Sequence, residues 1–149
     1  MIYKEEVRDL FSVPEDYYLA HCISADFGMG KGIVVEFNKR FDMKNKLLAK
    51  YPDYREIRYN YLMFKGDCIL EGKVLNLITK ERYYQKPTYL TMKAALLTMR
   101  DICLNKNIKK IAMPTIGAGL DKLSWDMVSK EIQEVFCNTD VEILVCKLK

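Results

Sequence analysis

The apolar positions of this chain switch between strand-like and helix-like spacing from one end to the other. Ile2 to Phe11 is mixed and holds one short strand, and Pro14-Glu15-Asp16 signals a turn. Tyr17 to Ser24 (YYLAHCIS) is short and mostly apolar, which predicts a buried strand. Gly32 to Phe41 then opens a helix, with Ile33, Phe37 and Phe41 recurring every four residues. A second helix is expected over Lys44 to Lys50, broken by Pro52-Asp53. Tyr61 to Phe64 and Cys68 to Leu70 read as strands around a Lys65-Gly66-Asp67 turn, and Lys73 to Thr79 (KVLNLIT) as a buried strand. Lys80 to Lys86 is polar and basic with two tyrosines, hence a loop. Beyond Pro87-Thr88-Tyr89, the positions Met92, Ala95, Leu96, Met99, Ile102 and Cys103 predict a strong helix over Leu90 to Asn105, ended by Asn105-Lys106-Asn107. Ile108 to Ile116 reads as a strand. Ser124 is the expected N-cap of a helix over Trp125 to Cys137, with Met127, Val128, Ile132, Val135 and Phe136 inward. Asp140 introduces a last strand, Val141 to Leu148.

Strands and helices thus alternate, which predicts an α/β domain with helices on both faces of a mixed or parallel sheet. Ligands of such sheets sit beyond the C-terminal ends of the strands. Two glycine-bearing loops stand there: Gly28-Met29-Gly30-Lys31-Gly32 and Gly117-Ala118-Gly119-Leu120-Asp121. Each follows a strand and precedes a helix, so each presents backbone N–H groups beside a partial positive charge. Two of them in one small chain suggest a diphosphate held from both sides, and therefore a nucleotide-like ligand.

The length, 149 residues, fits a single domain over 1–149. A net charge of +4 suits a phosphate-bearing ligand as well as it suits an ordinary lysine-rich surface, and there is no dense basic stripe to argue for duplex nucleic acid. The five cysteines, Cys22, Cys68, Cys103, Cys137 and Cys146, show no CxxC spacing, and His21 is the only histidine. No metal site is expected, and buried thiols in a reducing compartment are the simplest account. With no signal core near Met1 and no apolar run of membrane length, an intracellular chain, cytoplasmic or nuclear, is expected.

Four polar positions and four aromatic ones carry candidate chemistry. Asp121 follows the second glycine loop, where a carboxylate either faces a sugar hydroxyl or a lysine, or turns the chain. Lys80 stands where a buried strand meets a loop. It is either a desolvated nucleophile or one member of the solvated run Lys80-Glu81-Arg82. Ser24 ends its strand and can donate to a ligand hydroxyl or phosphate. Alternation puts it on the opposite face from His21, so a Ser-His-acid triad is not expected. Asp9 either accepts from an adenine amino group or merely ends a strand. Tyr83, Tyr84, Tyr89 and Trp125 either line a pocket or belong to the core.

Three segments, Leu19 to Gly32 (LAHCISADFGMGKG), Leu77 to Tyr89 (LITKERYYQKPTY) and Met113 to Trp125 (MPTIGAGLDKLSW), resemble the macrodomain family. Within it they look like the branch of the terminal ADP-ribose protein glycohydrolase, which also deacylates O-acyl-ADP-ribose. The resemblance runs from about Val7 to the C-terminus. It implies a three-layer α/β/α fold with a central mixed sheet and an ADP-ribose cleft. Asp9 would face adenine. Gly30, Lys31, Gly32 and Ile33 would hold the diphosphate through backbone N–H groups. Ile116, Gly117, Ala118, Gly119 and Leu120 would close over the diphosphate and distal ribose, with Ser24 nearby. Lys80 and Asp121 match the catalytic pair of the branch, in which the lysine amine attacks C1″ of the distal ribose with ring opening to a lysyl-ADP-ribose intermediate, and the aspartate assists proton transfer and steadies the ammonium or iminium. The chain departs from the family at Arg8, where glycine is usual before the adenine-facing aspartate. Cys22-Ile23-Ser24-Ala25-Asp26 replaces the asparagine-rich strand end of another hydrolytic branch.

The resemblance therefore implies a hydrolase that removes mono-ADP-ribose from acidic side-chain esters and deacylates O-acetyl-ADP-ribose, with no cofactor or metal. Its partners would be ADP-ribose and ADP-ribosylated proteins or O-acyl-ADP-ribose, met as a monomer and away from membranes. The alternatives are a non-catalytic ADP-ribose reader, a hydrolase of ADP-ribosylated nucleic acid, and an ADP-ribose-1″-phosphate phosphatase.

Overall fold

Apolar residues alternate along the central strands, so both faces of the sheet are greasy and each must be covered by helices. A computed structural model describes residues 1–59 and 64–148 and shows this arrangement. Its strands are β1 (Ile2–Val7), β2 (Tyr18–Ser24), β3 (Asp67–Glu71), β4 (Val74–Lys80), β5 (Lys110–Met113) and β6 (Glu142–Lys147). They form one sheet in the order β1-β6-β5-β2-β4-β3. Only β3 runs antiparallel to its neighbour. The helices are α1 (Val34–Phe41), α2 (Met43–Lys50), α3 (Tyr54–Tyr59), α4 (Tyr89–Lys106) and α5 (Trp125–Phe136).

The period-two pattern divides the core in two. Ala20, Leu75, Leu77, Ile111, Met113, Ile143 and Val145 pack against α4 and α5 through Met92, Leu96, Met99, Val128, Ile132 and Phe136. Their neighbours Leu19, Ile23, Val74, Ile78, Ala112 and Leu144 pack on the other face against Phe37, Met43 and Leu47 of α1 and α2. The fold is the expected three-layer α/β/α architecture around a mixed sheet. Five parallel strands end on the same edge of the sheet, so the segments after Val7, Ser24, Lys80, Met113 and Lys147 emerge together.

Several boundaries differ from the sequence reading, each for a local reason. β5 stops at Met113 instead of Ile116, because Pro114 has no N–H for the ladder and its carbonyl instead accepts from Ile116 N (2.8 Å). The first helix starts at Val34 rather than Gly32, whose φ of +77° is non-helical. The chain restarts as α3 just after the Pro52-Asp53 break. Met127 faces solvent, 54% exposed, rather than the core; the inward stripe of α5 is set by Val128, Ile132, Val135 and Phe136. Ser124 occupies the N-cap position of α5 with an extended backbone, but its hydroxyl makes no capping bond; its N–H donates to the Tyr89 hydroxyl (2.9 Å). The strand expected over Tyr61 to Phe64 falls, except for Phe64, outside the described residues.

Candidate active site

Strand β4 delivers Lys80, and the way it ends decides where that side chain points. The β2–β4 register runs Ile23 to Ile78 and then skips to Ser24 opposite Lys80, leaving Thr79 as an extra residue. A bulge of this kind re-aims the side chain beyond it. Ala25 N–H donates to the Lys80 carbonyl (2.9 Å), so the backbone of the lysine is fixed to the neighbouring strand.

The second glycine loop delivers Asp121. Gly117 has φ +76°, a conformation that side-chain-bearing residues rarely adopt, and a Cβ there would also press on the tip of the Met92 side chain at 2.8 Å. The loop then folds back, with Leu123 N–H on the Gly117 carbonyl (2.7 Å), and closes a short 3-10 turn over Gly119–Asp121. This brings Asp121 Oδ1 to 2.9 Å from Lys80 Nζ, across 41 residues of chain. Both side chains are largely buried, 17% and 16% exposed. An ion pair so shielded is held more firmly than one on an open surface. Cys22 of β2 lies close enough to feel both charges. Burial first, and then the Asp121 charge, push its thiol up to about 12.

The first glycine loop packs against these elements. A Cβ added at Gly32 would be 3.3 Å from the Leu120 side chain, so the two glycine loops meet at this point. Helix α1 begins beside Gly32 with Ile33 at its N-cap and no side-chain capping bond. Val35 and Glu36 N–H already donate to the Gly32 and Ile33 carbonyls (3.1 and 3.0 Å), so an anion at this end would be met by the N–H groups that precede them. In the second loop, Ile116 N and Ala118 N already donate to the Pro114 and Thr115 carbonyls (2.8 and 3.3 Å), and Gly119 and Leu120 are exposed at the rim.

Two expected ligand contacts have other partners. Ser24 is buried, 1% exposed, and its hydroxyl donates to Asp26 Oδ1 (2.5 Å), so its proton is not free for a ligand. Asp9 is exposed beyond β1, and its Oδ1 accepts from Phe11 N (3.0 Å) as the cap of a 3-10 turn over Leu10–Ser12. Of the candidate aromatics, Tyr89 supports Ser124 and Trp125 packs on the core with Nε1 donating to Glu5 (3.2 Å). Tyr83 and Tyr84 are each 66% exposed and meet edge to face, with centroids 5.4 Å apart.

Asp26 was not singled out as a site residue by sequence reasoning, yet it organises this edge. Besides Ser24 it accepts from Gly28 N (3.1 Å) and, 57 residues further along the chain, from Tyr83 N (3.0 Å). Burial alone would raise its carboxyl, but the bonds from Ser24, Tyr83 and Gly28 prevail and hold it below the usual carboxylate range. The available signal was a carboxylate two residues after a strand-ending serine and two before a glycine, the spacing of an Asx turn. A separate cavity of about 620 Å³ lies near the opposite ends of β2 and β4, lined by Phe11, Tyr17, Leu19, Phe41 and Lys73 among others, and holds none of the candidate residues. Among the described residues there is no cluster of potential metal ligands, and no helix is long and apolar enough to cross a membrane.

No model of a known protein family matches the chain. It is 41% identical over 141 residues to ADP-ribose glycohydrolase OARD1 of Homo sapiens, covering 94% of this chain and 88% of that protein. A more distant similarity, 24% over 110 residues, connects it to a DNA ADP-ribosyl glycohydrolase of Mycobacterium tuberculosis and covers 72% of this chain and 31% of the relative. Among solved structures, the macrodomain of Thermus aquaticus DarG superposes with a TM-score of 0.77 at 20% identity, covering 97% of each chain.

Proposed function

This chain belongs to the macrodomain family, and from that premise we propose that it is an ADP-ribosyl hydrolase that cleaves ADP-ribose esters with Lys80 and Asp121. The observation that carries the reading is the 2.9 Å contact between the two side chains, at the edge of the sheet where both glycine loops emerge. The name of the human relative, an ADP-ribose glycohydrolase, supports the same class of reaction.

The chemistry follows from the pair. A lysine attacks only as the neutral amine, so its ammonium must first give up a proton. Asp121 is within hydrogen-bond reach to accept it. The amine lone pair then forms a bond to C1″ of the distal ribose. The C1″–O bond to the acyl group breaks, and the carboxylate leaves with the electron pair. In a second step water adds to C1″ as the C1″–Nζ bond breaks; Asp121 returns its proton to the amine and restores the ammonium, and the proton shed by the water passes to solvent. The diphosphate would be held by the N–H groups of Gly30, Lys31, Gly32 and Ile33 and covered by the loop from Ile116 to Leu120. Asp9 would be available to adenine through its second carboxylate oxygen. Ser24, whose proton belongs to Asp26, would offer only lone pairs to a ribose hydroxyl.

A second substrate reading is favoured by one observation. Tyr83 and Tyr84 stand exposed on the loop that follows Lys80, and exposed aromatic faces suit unpaired bases. The distant relative named as a DNA ADP-ribosyl glycohydrolase points the same way. One assay addresses both readings: release of ADP-ribose from a glutamate-linked mono-ADP-ribosylated peptide and from ADP-ribosylated single-stranded DNA. The wild type is expected to release it from the peptide, and Lys80→Ala or Asp121→Ala to lose a factor of about 10² or more. Tight ADP-ribose binding without release from either substrate would make the protein a reader. Undiminished release by Lys80→Ala would remove the proposed mechanism.

A further inference from the structure

Lys80 and Asp121 are held in very different ways. Lys80 ends a central strand, and its carbonyl is bonded to the next strand. Asp121 ends a three-residue turn that begins at Gly119 and is followed by Lys122, both with positive φ. Within the loop, Leu123 N–H donates to the Gly117 carbonyl and Lys122 N–H to the Gly119 carbonyl (2.7 and 3.1 Å), and contacts from outside the loop add to these in fixing the distance of Asp121 from the lysine.

The loop between β4 and α4 is tied at both ends. At the first end Asp26 Oδ2 accepts Tyr83 N–H (3.0 Å), while Asp26 Oδ1 holds Ser24 and Gly28 (2.5 and 3.1 Å). Contact there is tight: a Cβ on Gly28 would lie 2.9 Å from the Cβ of Tyr83. At the second end Lys86 Nζ donates to the carbonyl of Leu120 (2.5 Å), the residue before Asp121. Residues 81–86 thus form a strap from the first glycine loop to the second.

We propose that Asp26 and Lys86 are positioning residues that anchor this strap and so hold Asp121 at working distance from Lys80. The inference rests on the reading of Lys80 and Asp121 as the catalytic pair. Neither anchor needs to touch the reacting atoms. Asp26 acts through Tyr83 and the strap, and Lys86 acts through the Leu120 carbonyl. Small displacements of a catalytic group cost disproportionately in rate, which is what a tether prevents.

The test uses Asp26→Asn, Lys86→Met and the double variant of the full chain. Asparagine keeps an acceptor for Ser24 and Gly28 but turns an NH2 group toward the Tyr83 N–H. Methionine keeps the apolar stem of Lys86 without its donors. With a glutamate-linked mono-ADP-ribosylated peptide, each single variant is expected to lose about 10–100-fold in kcat with KM nearly unchanged. The double variant is expected to lose no more than the worse single, because both changes release one strap. Amide exchange over residues 119–122 should quicken in both singles. Wild-type kcat in Lys86→Met, a surface change that folding tolerates, would overturn the proposal, as would losses that multiply in the double variant. If the wild type itself releases nothing, the functional reading fails instead. The exchange data then decide the strap alone: unchanged exchange at 119–122 in the variants refutes it.

Discussion

His21 shows how one buried polar residue is fixed by its surroundings. Its ring stacks on Phe37 at 3.8 Å, and Nε2 lies 2.6 Å from Asn76 Oδ1. Asn76 Nδ2 donates to the Ile69 carbonyl (3.2 Å), so the asparagine oxygen faces the histidine and Nε2 must be the donor. Nδ1 is left with no partner among the described residues. Burial pushes the imidazole down to about 4 and outweighs the opposing Asn76 bond. The folded value lies below the ordinary 6.5. The stability this neutral ring contributes is therefore complete above pH 6.5 and is lost as pH falls toward 4, about 3 kcal/mol in all. Because His21 is the only histidine, its Cε1 proton gives a single imidazole titration by NMR. We expect a midpoint near 4 with unfolding setting in below it; a midpoint near 6.5 would refute this account of the core.

At the scale of elements, helix α5 separates what pattern shows from what it hides. The spacing of Val128, Ile132, Val135 and Phe136 was legible, and these residues are buried. Met127 fits the same apolar pattern by composition but lies on the outer side of the first turn, because the inward stripe passes one residue further along. Met127→Lys should therefore change stability by less than about 0.5 kcal/mol, whereas Ile132→Ala should cost about 2–5 kcal/mol in denaturant unfolding. Equal effects would mean the helix is rotated. The strands were legible from their alternation, and the glycine loops from their place between strand and helix. The bulge that leaves Thr79 unpaired and aims Lys80 was not, because nothing in VLNLITK marks a register skip. Nor was the role of Asp26, since its partner Tyr83 is 57 residues away and contributes only a backbone N–H. Contacts made through main-chain groups leave no trace in residue identity.

For the whole molecule, the parallel strands matter because they gather distant segments on one edge. Asp9, Ser24, Lys80 and the Gly117–Asp121 loop follow or end four different strands and emerge on one edge because β1, β2, β4 and β5 run in one direction. A ligand that bridges these segments must bind the folded chain and not the unfolded one. ADP-ribose at a hundredfold excess over its Kd should thus add about 2.7 kcal/mol, a rise of roughly 5–10 °C in Tm for a chain of this size. Lys80→Ala should keep that shift while losing turnover, since the grip on the diphosphate is assigned to the glycine loops. Loss of the shift together with turnover would place binding, not chemistry, on the lysine.

The proposed chemistry requires Lys80 to stand at the anomeric carbon. A crystal structure of the Asp121→Asn variant with ADP-ribose measures this directly. Lys80 Nζ is expected about 3–3.5 Å from C1″, with the diphosphate between the two glycine loops. A distal ribose turned away from Lys80, or ADP-ribose seated elsewhere on the surface, would contradict it.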